Sequence, residues 1–208
     1  MSQFFTIHPV NPQVRLINQV VEIIRKGGVV AYPTDTTYAL GCHIGDKQAL
    51  DRIRQIRRLD DKHRFTLMCR DLSELGSYAR VENQAFRQLR AHTPGPYTFI
   101  LKATKEVPRR LQTGKQKEIG LRVPGNQILL DLLASLGEPI LNTTLTLPQD
   151  DCPLMDPFEI YNLVGHLVDI VIDGGYCGME ETTVIDMTGD IPELVRQGLG
   201  DFGDFSAD

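Results

Sequence analysis

The stretch Gly28-Val29-Val30-Ala31-Tyr32-Pro33-Thr34-Asp35-Thr36-Thr37 decides the fold, because it joins a buried strand to a polar turn. Residues 28–32 predict the strand, since β-branched residues pack well on a pleated sheet and Pro33 disfavours its continuation. Hydroxyls and the carboxylate of Asp35 follow at the predicted sheet edge, where α/β proteins bind polar ligands. A second interpretation stays open, in which Thr34 and Asp35 bond only to the nearby backbone of a turn.

Predicted helices and strands alternate on both sides of this stretch. Upstream, apolar residues recur at helical spacing from Val14 to Ile24, and downstream Asp46 is placed to cap a second helix. A short helix is predicted after Asp71, and the remaining helices are predicted at residues 83–91, 127–136 and 157–165. The remaining strands are predicted at residues 65–69, 97–102, 119–123, 139–147, 168–172, 182–187 and 193–196. This mixture predicts an α/β fold with a twisted mixed sheet flanked by helices.

The length and composition are those of one globular unit. A chain of 208 residues, 41% hydrophobic and 24% charged, can bury a core without disulfides or metals. The sequence contains no internal repeat and no linker-like segment, so we expect a single domain over residues 1–208. The polar residues 199–208 predict a flexible tail.

Hydropathy, cysteine spacing and net charge argue against several classes of protein. No apolar run approaches the roughly 20 residues that cross a bilayer, and residues 1–10 lack the pattern of a signal peptide, so we expect a cytoplasmic protein without membrane contact. The cysteines contain no Cys-x-x-Cys pair, which argues against a disulfide framework and a tightly bound metal. They are Cys42, Cys69, Cys152 and Cys177. Because the net charge is −5, any anion site must be local.

Two further segments carry polar groups along predicted strands. Arg122 stands alone in the apolar strand Gly120-Leu121-Arg122-Val123-Pro124. A partly buried arginine needs an anionic partner, which is either a protein carboxylate or a ligand carboxylate or phosphate. The other segment is Glu181-Thr182-Thr183-Val184-Ile185-Asp186, which Arg196 follows after a turn.

Basic residues cluster around the end of the second predicted helix. This cluster either attracts phosphates or an RNA backbone, or is a solvated helix end. Its members are Arg54, Arg57, Arg58, Lys62 and Arg64. A second basic stretch lies on a predicted loop, where it either covers phosphates as a lid or contacts RNA, or is simply solvated, which is the interpretation we favour. It contains Arg109, Arg110, Lys115 and Lys117. His43 and His63 have no further metal ligand at a suitable spacing, so we interpret them as packing or surface residues.

In their order and separations, these segments, together with the turn Pro94-Gly95-Pro96 and its strand, resemble the YrdC/YciO domain of threonylcarbamoyl-adenylate synthases over nearly the whole chain. The stretch Phe65-Thr66-Leu67-Met68-Cys69-Arg70-Asp71-Leu72-Ser73 is most similar to the YciO branch. The resemblance implies a concave, positively lined cavity that binds ATP or an adenylate. In the active synthases, threonine and bicarbonate form a carbamate that takes AMP from ATP and releases pyrophosphate, and the product serves to modify tRNA. It also implies Mg²⁺ entering with ATP and no protein nucleophile.

The resemblance assigns roles to individual residues. Thr36, Arg122 and Thr182 would bind threonine, with Arg122 clamping its carboxylate. Arg57 matches the lysine of a Lys-x-Arg phosphate motif and is the catalytic candidate. The candidate nucleotide-binding residues are Arg57, Arg58, Lys62, Thr144, Thr146 and Arg196.

Two positions depart from the family pattern. Leu59 stands where the arginine of Lys-x-Arg is expected, so Arg58 or Lys62 would have to supply that charge. Thr144 keeps the hydroxyl of a Ser-x-Asn motif, whereas Thr146 lacks the amide of its asparagine. Losing a fixed charge beside a transferring phosphoryl group costs several kcal/mol of transition-state stabilisation. Two functions therefore stay open: an adenylate-forming enzyme, and a weakly catalytic or non-catalytic binder of nucleotide or double-stranded RNA.

Overall fold

The computed structural model describes residues 2–114 and 117–205, which contain ten strands and six α-helices. The strands are β1 (Gln3–Thr6), β2 (Val30–Pro33), β3 (Tyr38–His43), β4 (Thr66–Met68), β5 (Tyr97–Lys102), β6 (Glu118–Arg122), β7 (Ile140–Thr144), β8 (Ile170–Asp173), β9 (Thr183–Asp186) and β10 (Glu193–Arg196). The helices are α1 (Val14–Arg25), α2 (Lys47–Arg57), α3 (Leu72–Tyr78), α4 (Asn83–His92), α5 (Gln127–Leu136) and α6 (Pro157–Val164).

All ten strands belong to one sheet, in the order β1-β8-β2-β3-β7-β4-β6-β5-β9-β10. Parallel and antiparallel pairs alternate irregularly, since β2 runs parallel to β8 but antiparallel to β3. Two apolar cores lie on the two faces. Buried side chains of α1 and α5 form one core, and those of α2, α3, α4 and α6 belong to the other. The predicted α/β fold with a mixed sheet flanked by helices is confirmed.

Local sequence signals set several helix ends. The predicted cap at Asp46 is confirmed, because its side chain accepts a hydrogen bond of 2.9 Å from the backbone N of Ala49. Asp71 caps α3 in the same way through the backbone N of Glu74. At the other end of α2, Arg58 adopts a left-handed conformation with φ of 51°, so the chain turns away sharply after Arg57.

The hairpin β2–β3 was not predicted, nor was β1. Tyr38 to His43 contains alanine and glycine, which have low strand propensity, yet this strand pairs with β2 on one side and β7 on the other. A glycine is required at position 41 of this strand, because a Cβ atom there would lie 2.6 Å from Cε1 of Tyr32. Pro33 is the last residue of β2 rather than the first beyond it. The hairpin places the turn Thr34–Thr37 at the end of two central strands.

The segment from residue 199 onward, for which we predict flexibility, contains one buried anchor. Phe205 is 1% exposed and lies against the rings of His92 and Tyr97. Residues 206–208 lie outside the described residues, as does Lys115 of the second basic stretch.

Candidate ligand-binding site

The turn between β2 and β3 holds itself together through Thr34. The hydroxyl of Thr34 accepts hydrogen bonds of 3.1 Å from the backbone N atoms of Thr36 and Thr37, and donates one of 2.7 Å to the carbonyl of Thr37. This is the local backbone bonding that one of the two interpretations expected for Thr34. Asp35 does not follow it, because its carboxylate leaves the turn and pairs with Arg122 on β6.

Arg122 is a buried cation in which one of the three guanidinium nitrogens has no hydrogen-bond partner among the described residues. It is 4% exposed; Nη2 lies 2.5 Å from Oδ1 of Asp35, and Nη1 donates to the hydroxyl of Thr36 at 3.1 Å. Its Nε atom is buried and has no hydrogen-bond partner among the described residues. Burial lowers the pKa of Arg122, and the charge of Asp35 opposes that shift. Of the two partners left open for Arg122, the structure contains the protein carboxylate.

A cavity of about 410 Å³ opens on the sheet beside this ion pair. Five of the nine predicted site residues line it, although they come from segments far apart in the chain. They are Arg57, Arg122, Thr144, Thr182 and Arg196. Thr36 is 3% exposed and lies behind the wall, where it supports Arg122. The structure thus brings most of the predicted site together.

One side of the cavity is formed by Thr182 and Arg196. A β-bulge between Leu194 and Arg196 interrupts the pairing of β10 with β9, and such bulges re-aim side chains near functional sites. Arg196 donates to the carbonyl of Thr182 from Nε at 3.3 Å and from Nη2 at 2.9 Å, and its Nη1 pairs with the carboxylate of Glu181. The hydroxyls of Thr182 and Thr98 share a hydrogen bond of 2.9 Å.

Arg57, at the end of α2, lies between this cavity and an adjoining chamber. Its Nη1 donates to the carbonyl of Thr146, while its Nε is buried and unpartnered among the described residues. Burial lowers the pKa of Arg57, and the charge of Glu181 opposes the shift. Thr146 lines only the adjoining chamber, which has a volume of about 600 Å³ and shares Arg57, Glu181 and Arg196 with the cavity. The two spaces therefore meet at a row of two arginines with a glutamate between them.

Three positions near the Lys-x-Arg motif lie elsewhere. Arg58 is exposed and lines a separate groove against Leu167, and Lys62 is exposed and lines neither the cavity nor the chamber. Leu59 packs against the apolar core. The two residues expected to compensate for Leu59 therefore do not face the cavity.

Several cavity residues were missed by sequence reasoning. His63, interpreted as a packing or surface residue, lines the cavity and shares a hydrogen bond of 3.0 Å with the hydroxyl of Thr143. Arg64, which belongs to the basic cluster singled out from the sequence, also lines it, with Nη2 at 3.4 Å from Oε2 of Glu118. Asn142, which is 5% exposed, completes the polar run that faces the cavity from β7. The signal available in the sequence was that polar run within an otherwise apolar strand.

The described residues contain no group of three histidine, cysteine or acidic side chains placed to hold a metal ion. The four cysteines are free thiols. Across residues 2–114 and 117–205, the helices are too short or too polar to cross a membrane.

Comparisons with known proteins match members of one protein family. The protein-family model Sua5_yciO_yrdC, described as "Telomere recombination", matches residues 22–198. The protein named YciO of Escherichia coli strain K12 is 60% identical over 205 residues, which cover 99% of this chain and 100% of that protein. A threonylcarbamoyl-AMP synthase of Vibrio vulnificus is 26% identical over 162 residues, covering 76% of this chain and 86% of the synthase.

Solved structures agree with this picture. The crystal structure of E. coli YciO superposes with a TM-score of 0.95 at 60% identity, covering 99% of this chain and 100% of the other. The crystal structure of P. abyssi Sua5 complexed with L-threonine gives a TM-score of 0.86 at 25% identity, covering 95% of this chain. This chain spans 58% of that Sua5 chain.

Proposed function

The chain belongs to the Sua5/YciO/YrdC family, and from this premise we propose that it makes threonylcarbamoyl-AMP, or a close analogue, from an amino acid, bicarbonate and ATP. The observation that carries the proposal is the convergence of Arg57, Arg122, Thr182 and Arg196 on one cavity. The relatives support it, since one is named a threonylcarbamoyl-AMP synthase and another was crystallised with L-threonine.

The amino acid is proposed to bind at the Arg122 end of the cavity. The guanidinium of Arg122 is fixed by Asp35 and Thr36, so it meets a ligand without losing further side-chain freedom. The carboxylate of an amino acid placed there would accept hydrogen bonds from the guanidinium of Arg122. Because donor and acceptor are both charged, these hydrogen bonds are stronger than those between neutral groups. The hydroxyl of Thr182, already bonded to that of Thr98, would orient a polar group of the same ligand.

The phosphates are proposed to lie along the row that joins the cavity to the chamber. Arg57 and Arg196 present two cations there, and each is held by contacts to backbone carbonyls. Mg²⁺ fits as a companion of ATP rather than as a resident ion, because no described cluster of side chains suits it and because Mg²⁺ keeps waters and phosphate oxygens as ligands. It would offset part of the triphosphate charge.

The chemistry needs positioning and charge rather than a protein nucleophile. The amino nitrogen of threonine bonds to the carbon of bicarbonate, and one water leaves. A carbamate oxygen then bonds to the α-phosphorus of ATP, and the bond from that phosphorus to the bridging oxygen breaks as pyrophosphate departs. Both reactants are anions, so fixed arginines lower the repulsion and stabilise the developing charge.

The test is pyrophosphate release that requires all three substrates. The native protein is expected to release it only with amino acid, bicarbonate and ATP together, and Arg57→Ala is expected to reduce the rate by about 100-fold. Arg87→Ala is the matched control, because Arg87 is exposed on α4. Release that ignores the amino acid, or none above background across a panel of amino acids, would overturn the proposal.

A binder without turnover is the second candidate, and two features favour it. Leu59 removes one cation from the family's phosphate motif, and Glu181 already pairs with Arg196. Arg58 and Lys62 are exposed and form no ion pair within the described parts of the chain, so they are free to contact the backbone of tRNA or double-stranded RNA. Affinity for RNA should then fall steeply with salt as counterions are released. Absence of both RNA and nucleotide binding would exclude this candidate.

The two candidates share a cellular setting. Both ATP and tRNA are cytoplasmic, and we propose that the protein acts there. Fractionation of cells that express the chain from its own promoter tests this point, with the protein expected in the cytosolic fraction.

A further inference from the structure

We propose that His63 is a further ligand-binding residue of the cavity. When an anion binds, His63 takes up a proton and supplies the positive charge that is missing because Leu59 replaces the arginine of the Lys-x-Arg motif. The inference rests on the proposed function, since it concerns the phosphate end of the same site. It replaces Arg58 and Lys62 as the source of that charge, because neither faces the cavity.

The first argument is the placement of His63. Its ring lines the cavity, and Nε2 shares a hydrogen bond of 3.0 Å with the hydroxyl of Thr143. The imidazole and the ring of Phe65 form a T-shaped pair, with ring centroids 5.0 Å apart and ring planes at 83°. These two contacts fix the plane of the imidazole. Among the described residues Nδ1 has no hydrogen-bond partner, so it is left to meet a ligand.

The second argument is the set of charges around His63. Burial lowers the pKa of His63, and the neighbouring Arg57 and Arg54 lower it further, while Asp60 and Glu181 act in the opposite direction. The imidazole is therefore neutral at pH 7 in the ligand-free protein. A neutral imidazole between cations is a proton acceptor whose charge depends on what occupies the cavity.

The third argument is the effect of a bound anion. A phosphate chain beside Arg57 and Arg196 brings negative charge next to His63 and offsets the field of the arginines. The pKa of His63 then rises, a proton enters from solvent, and the imidazolium gains a charge-assisted contact to the anion. The alternative source within the wall is Arg64, but its guanidinium is half exposed and already lies near Glu118.

Linkage fixes the sign of the pH dependence. The pKa of His63 is below its ordinary value without ligand and higher with ligand, so binding takes up protons between the two values. Affinity rises as pH falls through that window and is constant on either side of it. The gain is about tenfold for each unit by which the ligand raises the pKa.

The experiment is calorimetric titration of tripolyphosphate and of ATP between about pH 6 and pH 8, in buffers of different ionisation enthalpy. Subtracting the proton uptake measured with His63→Gln from that measured with the native protein removes the contribution of the probe's own titration. Native protein is expected to take up a fraction of a proton that His63→Gln does not, and to bind about three- to tenfold more tightly at the acid end only. His166→Gln, on an exposed histidine, is the matched control.

Two results separate this inference from the proposed function. If native protein binds both probes but His63→Gln keeps the same proton uptake and pH profile, the inference is overturned and the cavity remains a phosphate site. If native protein binds neither probe, the proposed function itself fails. Should His63→Gln not fold, the imidazole proton of His63 is followed by NMR in the native protein, where an unchanged pKa on adding tripolyphosphate overturns the inference and an upward shift supports it.

Discussion

Arg122 and Asp35 form a largely buried ion pair that joins strand β6 to the turn between β2 and β3. Nη2 of Arg122 lies 2.5 Å from Oδ1 of Asp35, and the two side chains are 5% and 15% exposed. Arg122 is on β6 and Asp35 follows β2, with β3, β7 and β4 between them. The pair therefore ties the polar turn to the floor of the cavity.

Removing the charge of Asp35 should destabilise the fold. Asp35→Asn leaves the guanidinium of Arg122 buried without its anion, and breaking such a pair costs about 3 kcal/mol in the free energy of unfolding. Urea unfolding measures the change, with Asp190→Asn, on an exposed carboxylate, as the control. A double variant that also carries Arg122→Gln should lose less than the sum of the two single changes. Equal stability of Asp35→Asn and native protein would contradict the structure.

Restoring the family's arginine at Leu59 should give no gain in pyrophosphate release. Leu59 packs against the core, so Leu59→Arg loses apolar burial and costs about 1 kcal/mol of stability. The side chain at position 59 lies on the core side of the turn and not in the cavity wall, so the new guanidinium would not face the phosphates. Three-substrate pyrophosphate assays and urea unfolding of both proteins measure these effects. A gain of more than about tenfold would mean that the charge reaches the phosphates after all.

Sequence patterns located elements with strong local signals. Helix α5 has the bounds that its pattern predicts, because Asn126 caps its start and Gly137 ends it with a φ of 75°. Strand β1 has no comparable signal: it is four residues long, and its pairing is with β8, far along the chain. Its stability comes from that distant partner, which local propensity does not register.

The site divides in a similar way. Arg122 stood out because a lone arginine in an apolar strand needs an anion, but the identity of Asp35 as its partner depends on the unpredicted hairpin β2–β3. His63 lies in an irregular segment, and the hydroxyl that fixes its ring belongs to Thr143, 80 residues later. Nothing in the residues beside His63 encodes that contact.

The hydroxyl of Thr182 should matter more than its shape. It bonds to the hydroxyl of Thr98 at 2.9 Å and lies 3.3 Å from Nη2 of Arg196. Thr182→Val keeps the volume but removes these bonds, and we expect amino-acid binding to weaken by about 1–2 kcal/mol, or roughly 5- to 30-fold. Thr182→Ser keeps the hydroxyl and should bind within about threefold of native protein. Calorimetry with L-threonine compares the native protein with the two variants. Equal affinities of Thr182→Val and Thr182→Ser for L-threonine would show that the ligand binds elsewhere.

Thiol labelling should report where the nucleotide lies. Cys152 is exposed and lines the chamber beside Arg57, whereas burial raises the pKa of Cys177 to about 11 and that of Cys42 to about 12. Because the thiolate is the reactive form, iodoacetamide at pH 7.5 to 8 should modify Cys152 well before the other two. Saturating ATP is expected to slow the labelling of Cys152 several-fold. Mass spectrometry follows each site, and protection by an equal ionic strength of sodium chloride would show that ATP acts through salt alone.

Removing the charge of Glu181 should tighten the binding of phosphate chains. In the ligand-free protein its carboxylate pairs with Arg196 and stands near Arg57, so it occupies the place where an anion would meet both cations. Glu181→Gln frees them, and because the carboxylate is about one-third exposed we expect only a three- to tenfold gain in tripolyphosphate affinity. Glu180→Gln is the matched control, since Glu180 lines the chamber but is exposed and forms no ion pair among the described residues. Calorimetry at one ionic strength measures all three proteins. Weaker binding by Glu181→Gln would assign the carboxylate the opposite role, that of holding Arg196 in the position the phosphates require.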